Sequence, residues 1–310
     1  MDTSIAGHLL ADRFIEALEE LKREAPEKHD LLLLSCYLYS CRIPTSVDVA
    51  SSFLSNVVRD PSAVYTLLVS MGSLLSPYEG SLAETEQAFF VPRSRSVAEA
   101  VMKRIGSIDL RRLLIQFHSE VSPTKIPRYD IFRRMAYDAN LTNRAFPEWK
   151  DGLDFYEKCF ERDGSHSFKQ QGAIYLSRKK QYPLAFKWID DAMAIAGRRA
   201  ASVRNTYAVI MFNANYDKPA SVPEVVATLD ESMQILQKCY TEDLRKVYHA
   251  KVFADQSVKY ANKFPNSPSS LEYLDQASAW LNAELKSRQG DRAINQLLRD
   301  LKSTRRNLTH

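Results

Sequence analysis

Glycine is scarce in this chain, at nine of 310 residues. Barrels, sandwiches and glycine-rich phosphate loops need glycine for tight turns and close backbone approach, so its shortage disfavours them and favours helices. No glycine is followed by lysine, which excludes a GxxxxGK[ST] phosphate loop, and HExxH, GxSxG and GxGxxG are also missing. Long apolar runs are absent. The longest, Leu31–Leu34 with Cys36–Tyr39 behind it, is well short of the roughly 20 residues that span a bilayer. Cys36, Cys41, Cys159 and Cys239 are too few and too irregularly spaced for a zinc set or a disulfide framework, and read as reduced core thiols. The N-terminus carries Asp2 and Asp12 and lacks the basic-then-apolar plan of a secretory signal. These absences point to the cytoplasm and imply no cofactor and no metal.

What is present is ordinary globular chemistry. Hydrophobic residues make up 45% and charged residues 26%, enough to bury a sizeable core. The 42 basic and 38 acidic side chains leave a net charge of +4, too balanced to imply nucleic acid. The length allows two domains on a prior of about 100–200 residues each.

Ile5, Leu9, Leu10, Phe14, Leu18 and Leu21 recur at helical spacing and predict an amphipathic helix over 5–24, ended by Pro26. Helices follow over 30–42, 47–58 and 62–73, the last two marked by Ser46 as an N-cap and Pro61 in a first turn. Leu74-Leu75 and Ala88–Val91, flanking a polar loop, read as one small β-hairpin, and a helix over 94–105 closes the segment. From Ile108 onward no stretch reads as a strand. Paired helices are expected at 109–119 and 128–140, 147–162 and 166–179, 183–196 and 202–214, 223–240 and 243–262, and 270–287 and 291–304, with Gly164, Gly197 and the prolines 147, 219, 223, 265 and 268 at the breaks.

A hydrophobic-Asp pair returns four times, at Leu153-Asp154, Ile189-Asp190, Leu229-Asp230 and Leu274-Asp275, with spacings of 36, 40 and 45 residues. Units of this size cannot bury an apolar face alone and stack on their neighbours. Ala136, Gly172 and Ala208 recur at 36-residue intervals, and Ala185 and Ala192 follow Gly172 on the next helix. In this the region resembles degenerate tetratricopeptide repeats, where small residues let two helices approach and an aromatic such as Tyr175 fills the groove. The usual Trp, Leu-Gly and terminal Pro are mostly missing, which leaves the repeat subtype open. The resemblance implies a superhelix whose concave face takes a protein or peptide. Arg133, Lys169 and Asn205, each three residues upstream of a repeated small residue, and Tyr137, one after Ala136, are the residues it assigns to that face. Exposed helix residues of no function are the competing account.

Upstream, three helices and a hairpin give the order of a winged-helix module over 29–106. The run from Phe89-Phe90-Val91-Pro92-Arg93 through Ala98-Glu99 resembles the junction that follows the ATPase core in STAND NTPases, a bacterial family that includes antiviral defence proteins. Ser94 stands where that family has a histidine. The resemblance covers about residues 1–215. It implies the carboxy-terminal sensor region of a larger ATPase, in which a target protein binds the superhelix and relieves autoinhibition. Arg93 and Arg95 at the wing-to-helix boundary are then either a regulatory contact with a phosphate or an acidic partner, or a solvated helix start.

The expected architecture is thus all-α: an N-terminal helix over 1–28, a winged-helix-like module over 29–106 and a tetratricopeptide-like superhelix over 107–310. The chain itself reads as no enzyme. His29-Asp30 and His118-x-Glu120 are the nearest approaches to acid–base pairs and read better as surface or capping residues. DNA reading is disfavoured because the candidate recognition helix, 62–73, has no Lys or Arg. The basic run Lys286, Arg288, Arg292, Arg299, Lys302, Arg305 and Arg306 suits either a solvated capping helix or an acidic partner. A free-standing adaptor and a nucleic-acid-binding regulator remain as alternatives to the sensor.

Overall fold

Local chemistry starts many of the helices. Ser46, Asp60, Ser94, Asp138 and Ser165 each present a side-chain oxygen to an amide that has no carbonyl partner in the first turn, and Pro26, Pro61, Pro223 and Pro268 sit where a missing N–H costs nothing. The computed structural model describes residues 3–80, 87–197, 200–288 and 290–309, and it is mostly helical. Among these residues no helix is long and apolar enough to cross a membrane. The chain divides into two units, Met1–Cys159 and Phe160–His310.

The first unit runs α1 (Thr3–Glu24), α2 (Pro26–Ser40), β1 (Thr45–Ser46), α3 (Val47–Phe53), α4 (Pro61–Ser70), β2 (Leu75–Pro77), β3 (Phe89–Pro92), α5 (Arg95–Arg104), α6 (Ser107–Glu120), α7 (Tyr129–Ala136) and α8 (Ala139–Ala145), and ends within α9 (Trp149–Asp163). The hairpin is present as β2 and β3, antiparallel with Ser76 opposite Val91. It gains a third strand, because Thr45 and Ser46 pair with Phe90 and Phe89, giving the sheet order β1-β3-β2. Ser46 serves twice, in the strand and as the cap of α3 through Val49 N at 3.2 Å.

The division of units differs from the expected boundary at 106. Tyr37 of α2 meets Phe117 of α6 and Phe132 of α7 edge-on, at 5.3 and 6.0 Å between ring centroids. The Tyr37 hydroxyl donates to Ala136 O at 2.9 Å. One aromatic core therefore spans the proposed boundary. Nor does α1 stand apart, since it packs on α2 and α5 and buries Phe14 and Leu18. A guanidinium fork adds to the tie: Arg112 of α6 donates to both carboxylate oxygens of Asp30, at 2.8 and 2.5 Å. Burial alone would raise the Asp30 carboxyl, but the bonds from His29 and Arg112 outweigh it and hold it below its ordinary value. The single helix expected over 128–140 is two helices, because Asp138 turns out of helical backbone and caps α8 by accepting from Asn140 N at 2.8 Å.

The second unit stacks α10 (His166–Arg178), α11 (Tyr182–Ala196), α12 (Ala201–Tyr216), α13 (Pro223–Glu242), α14 (Lys246–Lys263), α15 (Pro268–Ser287) and α16 (Arg292–Thr309). The most extensive packing is α10 on α11, α12 on α13 and α14 on α15, so the pairing is one helix out of phase with the expected one. Within this unit the apolar-Asp repeat has a plain physical basis. Ile189, Leu229 and Leu274 hold equivalent places on α11, α13 and α15, and all are fully buried. Three residues on, Ala192, Ser232 and Ala277 are buried too, and the Ser232 hydroxyl donates to Ala208 O at 2.8 Å. Small side chains there let each helix pair close. The aspartates differ in use: Asp230 accepts from the Tyr260 and Tyr273 hydroxyls at 2.7 and 3.1 Å, and Asp275 pairs with Arg305 at 2.9 Å. The four cysteines are buried and form no disulfide.

Gly172 marks a close approach of α10 and α11. A β-carbon placed on it would lie 2.4 Å from the ring of Trp188, itself buried at 4% exposure. Gly172→Ala gains up to about 1 kcal/mol of helix propensity but forces the indole aside at about 1–3 kcal/mol. A net lower urea midpoint is expected, with recovery in Gly172→Ala/Trp188→Leu. Equal losses in the single and double variants would remove the contact as the cause.

Candidate functional site

The residues assigned to one concave face fall in two units and several environments. Arg133 and Tyr137 lie in the first unit, Lys169 and Asn205 in the second. Tyr137 is 1% exposed, its ring packed against Phe132, Phe155 and His118, and its carbonyl accepts the Tyr156 hydroxyl at 2.9 Å. Arg133 pairs with Asp130 at 2.9 Å with its guanidinium over the Tyr129 ring. Lys169 reaches Asp191 at 3.3 Å and places Nζ 4.2 Å from the Trp188 centroid and 4.7 Å from that of Phe160. Its charge is already neutralised and its stem clamped. Tyr137 and Asn205, both buried, present nothing to a ligand groove, which corrects the assignment of these two. For Asn205 the reason is that α12 is covered on nearly every side, so the position three before Ala208 faces a neighbouring helix; Tyr137, at the end of α7, is enclosed by the rings of Phe132, Phe155 and His118.

Asn205 anchors a polar chain instead. Its Nδ2 lies 2.9 Å from His249 Nδ1, and His249 Nε2 lies 2.9 Å from Asp243 Oδ2. Arg245 closes the far end, with Nε and Nη2 donating to the same carboxylate oxygen at 3.2 and 2.9 Å. An ionised Asp243 calls for a proton on Nε2, leaving Nδ1 to accept from the amide. Burial would raise the Asp243 carboxyl, but the bonds from His249 and Arg245 prevail and hold it well below the ordinary carboxylate range. Burial lowers the His249 ring below its usual value, and the neighbouring carboxylate only partly offsets this. An Asp–His pair can activate a hydroxyl or thiol, but here the free ring nitrogen meets an amide donor, so the chain supplies no activated nucleophile. It locks α12, the α13–α14 turn and α14 together.

This lock is pH-dependent with a definite sign. The unfolded chain takes up the His249 proton near pH 6.5, whereas the folded chain resists until lower pH, so the unfolded state binds more protons and stability falls as pH drops below about 6.5. The slope from this one group is at most about 1.4 kcal/mol per pH unit. Urea midpoints between pH 7 and 5 should fall less steeply for His249→Gln than for the natural chain. Parallel lines for the two would show that the ring does not set the dependence.

The same turn carries the most exposed apolar side chain of the second unit. Leu244 is 95% exposed, and Tyr248 one helical turn on is 42% exposed. Neither was singled out by sequence pattern, and the usable signal is a lone leucine set among Glu242, Asp243, Arg245 and Lys246.

Compared with family models, curated proteins and solved structures, the chain matches none.

Arg93 and Arg95 are held within the first unit. Arg93 Nε donates to Ser73 O at 3.2 Å, tying the end of β3 to the segment after α4. Arg95 pairs with Glu99 at 2.8 Å along α5. Both remain partly accessible, Arg93 more so. His29 Nδ1 lies 2.9 Å from Asp30 Oδ1 beside the Arg112 fork, while His118 Nδ1 lies 3.6 Å from Cys159 Sγ and Glu120 accepts from Ser55.

Proposed function

We propose that the chain is a non-catalytic recognition scaffold whose second unit is a tetratricopeptide-like array that captures a protein ligand. The observation that carries this reading is the succession of helix pairs with buried apolar and small residues at equivalent places, Ile189/Ala192, Leu229/Ser232 and Leu274/Ala277. Arrays of this kind present repeated helix ends and inter-helix surfaces to partners. Leu244 and Tyr248 are the apolar contacts we assign to capture, because a leucine so exposed gains most by being covered. In the first unit, the order helix, strand, helix, helix, strand, strand with the sheet order β1-β3-β2 supports a winged-helix module. Its α4 has no charged residue, which favours packing over reading DNA. A winged helix followed by helical repeats is the order of the sensor end of a STAND-type bacterial defence ATPase, and the wing-to-helix resemblance at Arg93 and Ala98-Glu99 joins this chain to that reading.

The test is affinity capture from phage-infected and uninfected bacterial cells with the natural chain and Leu244→Asp/Tyr248→Ser as baits. A viral protein held only by the natural chain, and rebound when purified, is the expected result. A host partner held equally before and after infection would replace the sensor with an adaptor, and equal capture by both baits would remove the Leu244 surface.

A further inference from the structure

A cleft of about 450 Å³ opens in the first unit where α5 and the α7–α8 segment flank the end of α2. That volume lies in the range of small-ligand sites, about 300–1,000 Å³. Its shape has an identifiable cause. Arg144 of α8 reaches across to α5 and donates to the carbonyls of Met102 and Ile105, at 2.6 and 2.7 Å, so one guanidinium closes the end of α5 and spaces the two walls.

The lining is divided chemically. Met102, Met135 and Leu141 give an apolar surface, with the Cys41 thiol beside them. Burial pushes that thiol up to about 12, so it is neutral at physiological pH and adds no charge to the floor. Lys103 and Arg134 line the same cleft and are exposed. The cleft's two carboxylates are already engaged, Glu99 by Arg95 and Asp138 by the Asn140 amide. Among the described residues neither Lys103 nor Arg134 has an ion-pair or hydrogen-bond partner, unlike Arg95, Arg104, Arg111 and Arg112 of the same unit. Two unmatched cations over a thioether-lined floor are suited to a ligand with an anionic head and an apolar body.

We propose that this cleft is a binding site for an amphipathic organic anion, with its sulfonate, carboxylate or phosphate held by Lys103 and Arg134 and its apolar part lying on Met102, Met135 and Leu141. Such a ligand binds the first unit and is independent of the protein capture assigned to the second.

The probe is 8-anilinonaphthalene-1-sulfonate, titrated into the full chain carrying ¹³C-methyl methionine. Only seven methionines are present, so each methyl can be assigned by a Met→Leu variant. The methyls of Met102 and Met135 should shift together along one saturable curve while Met193, Met211 and Met233 stay in place. Lys103→Glu/Arg134→Glu should weaken binding about tenfold, since each reversal turns a weak attraction into a repulsion of similar size. Both side chains are exposed, and an unchanged signal from Met71, buried in the same unit and outside the cleft, would establish that the variant folds. Leu141→Trp, which fills the cleft and leaves the cations in place, should also abolish the shifts. Immobile Met102 and Met135 methyls overturn the proposal, as does an affinity that the charge reversal leaves within twofold.

Discussion

Ala192→Arg should remove the cooperative folding of residues 160–310. Ala192 is fully buried on α11, at the place held by Ser232 and Ala277 in the following pairs. Arginine there overpacks the α10–α11 contact at about 1–3 kcal/mol and strands an unpaired charge in the interior at several more. Together these approach the whole stability of a typical domain, about 5–15 kcal/mol. Hydrogen exchange on the intact chain should show α10–α13 amides exchanging freely. Ala192→Ser is the matched control, because Ser232 places a hydroxyl at the equivalent position and spends it on Ala208 O. Its midpoint should stay within about 1 kcal/mol of the natural chain. Retained protection in Ala192→Arg would mean that the helix pairs are not closed by these small residues.

The corresponding test in the first unit is Tyr37→Ala, with an expected loss of about 3–5 kcal/mol. Tyr37 is fully buried, touches two aromatic rings on different helices, and satisfies the carbonyl at the end of α7. Tyr37→Phe keeps the ring and leaves that carbonyl buried without its donor, so it should cost only about 1–3 kcal/mol. The ratio of the two losses, from thermal or urea unfolding, separates packing from hydrogen bonding. Similar losses in both would place the energy in the hydroxyl and not in the shared core.

Helices were legible in the sequence because periodicity, prolines and caps all acted within a few residues of each boundary. The exceptions are informative. Tyr137-Asp138 interrupts a periodic stretch that reads as continuous, since the apolar spacing survives the break while the backbone does not. Strand β1 is only Thr45–Ser46 and is created by pairing with β3, a partner far along the chain that no local pattern reveals. The site was harder to read than the fold. Counting back from Gly172 and Ala208 gave Lys169 and Asn205 one equivalent position. Register does not fix which way a helix face points, and α12 buries Asn205 where α10 leaves Lys169 partly accessible, its side chain 16% exposed. The partners of Asn205, Asp243 and His249, follow no recognisable spacing, and they meet it only because α14 returns alongside α12.

The sheet order of the first unit also bears on the sequence of events during folding. The central strand, β3, finds one neighbour across the hairpin and the other before α3. Its edge facing β1 stays open until two intervening helices have been gathered in, and closing a loop of that length costs more entropy than docking consecutive helices. Until that edge is covered, a partly folded first unit presents an unpaired strand edge beside the aromatic pair Phe89-Phe90, a surface that a chaperone recognises.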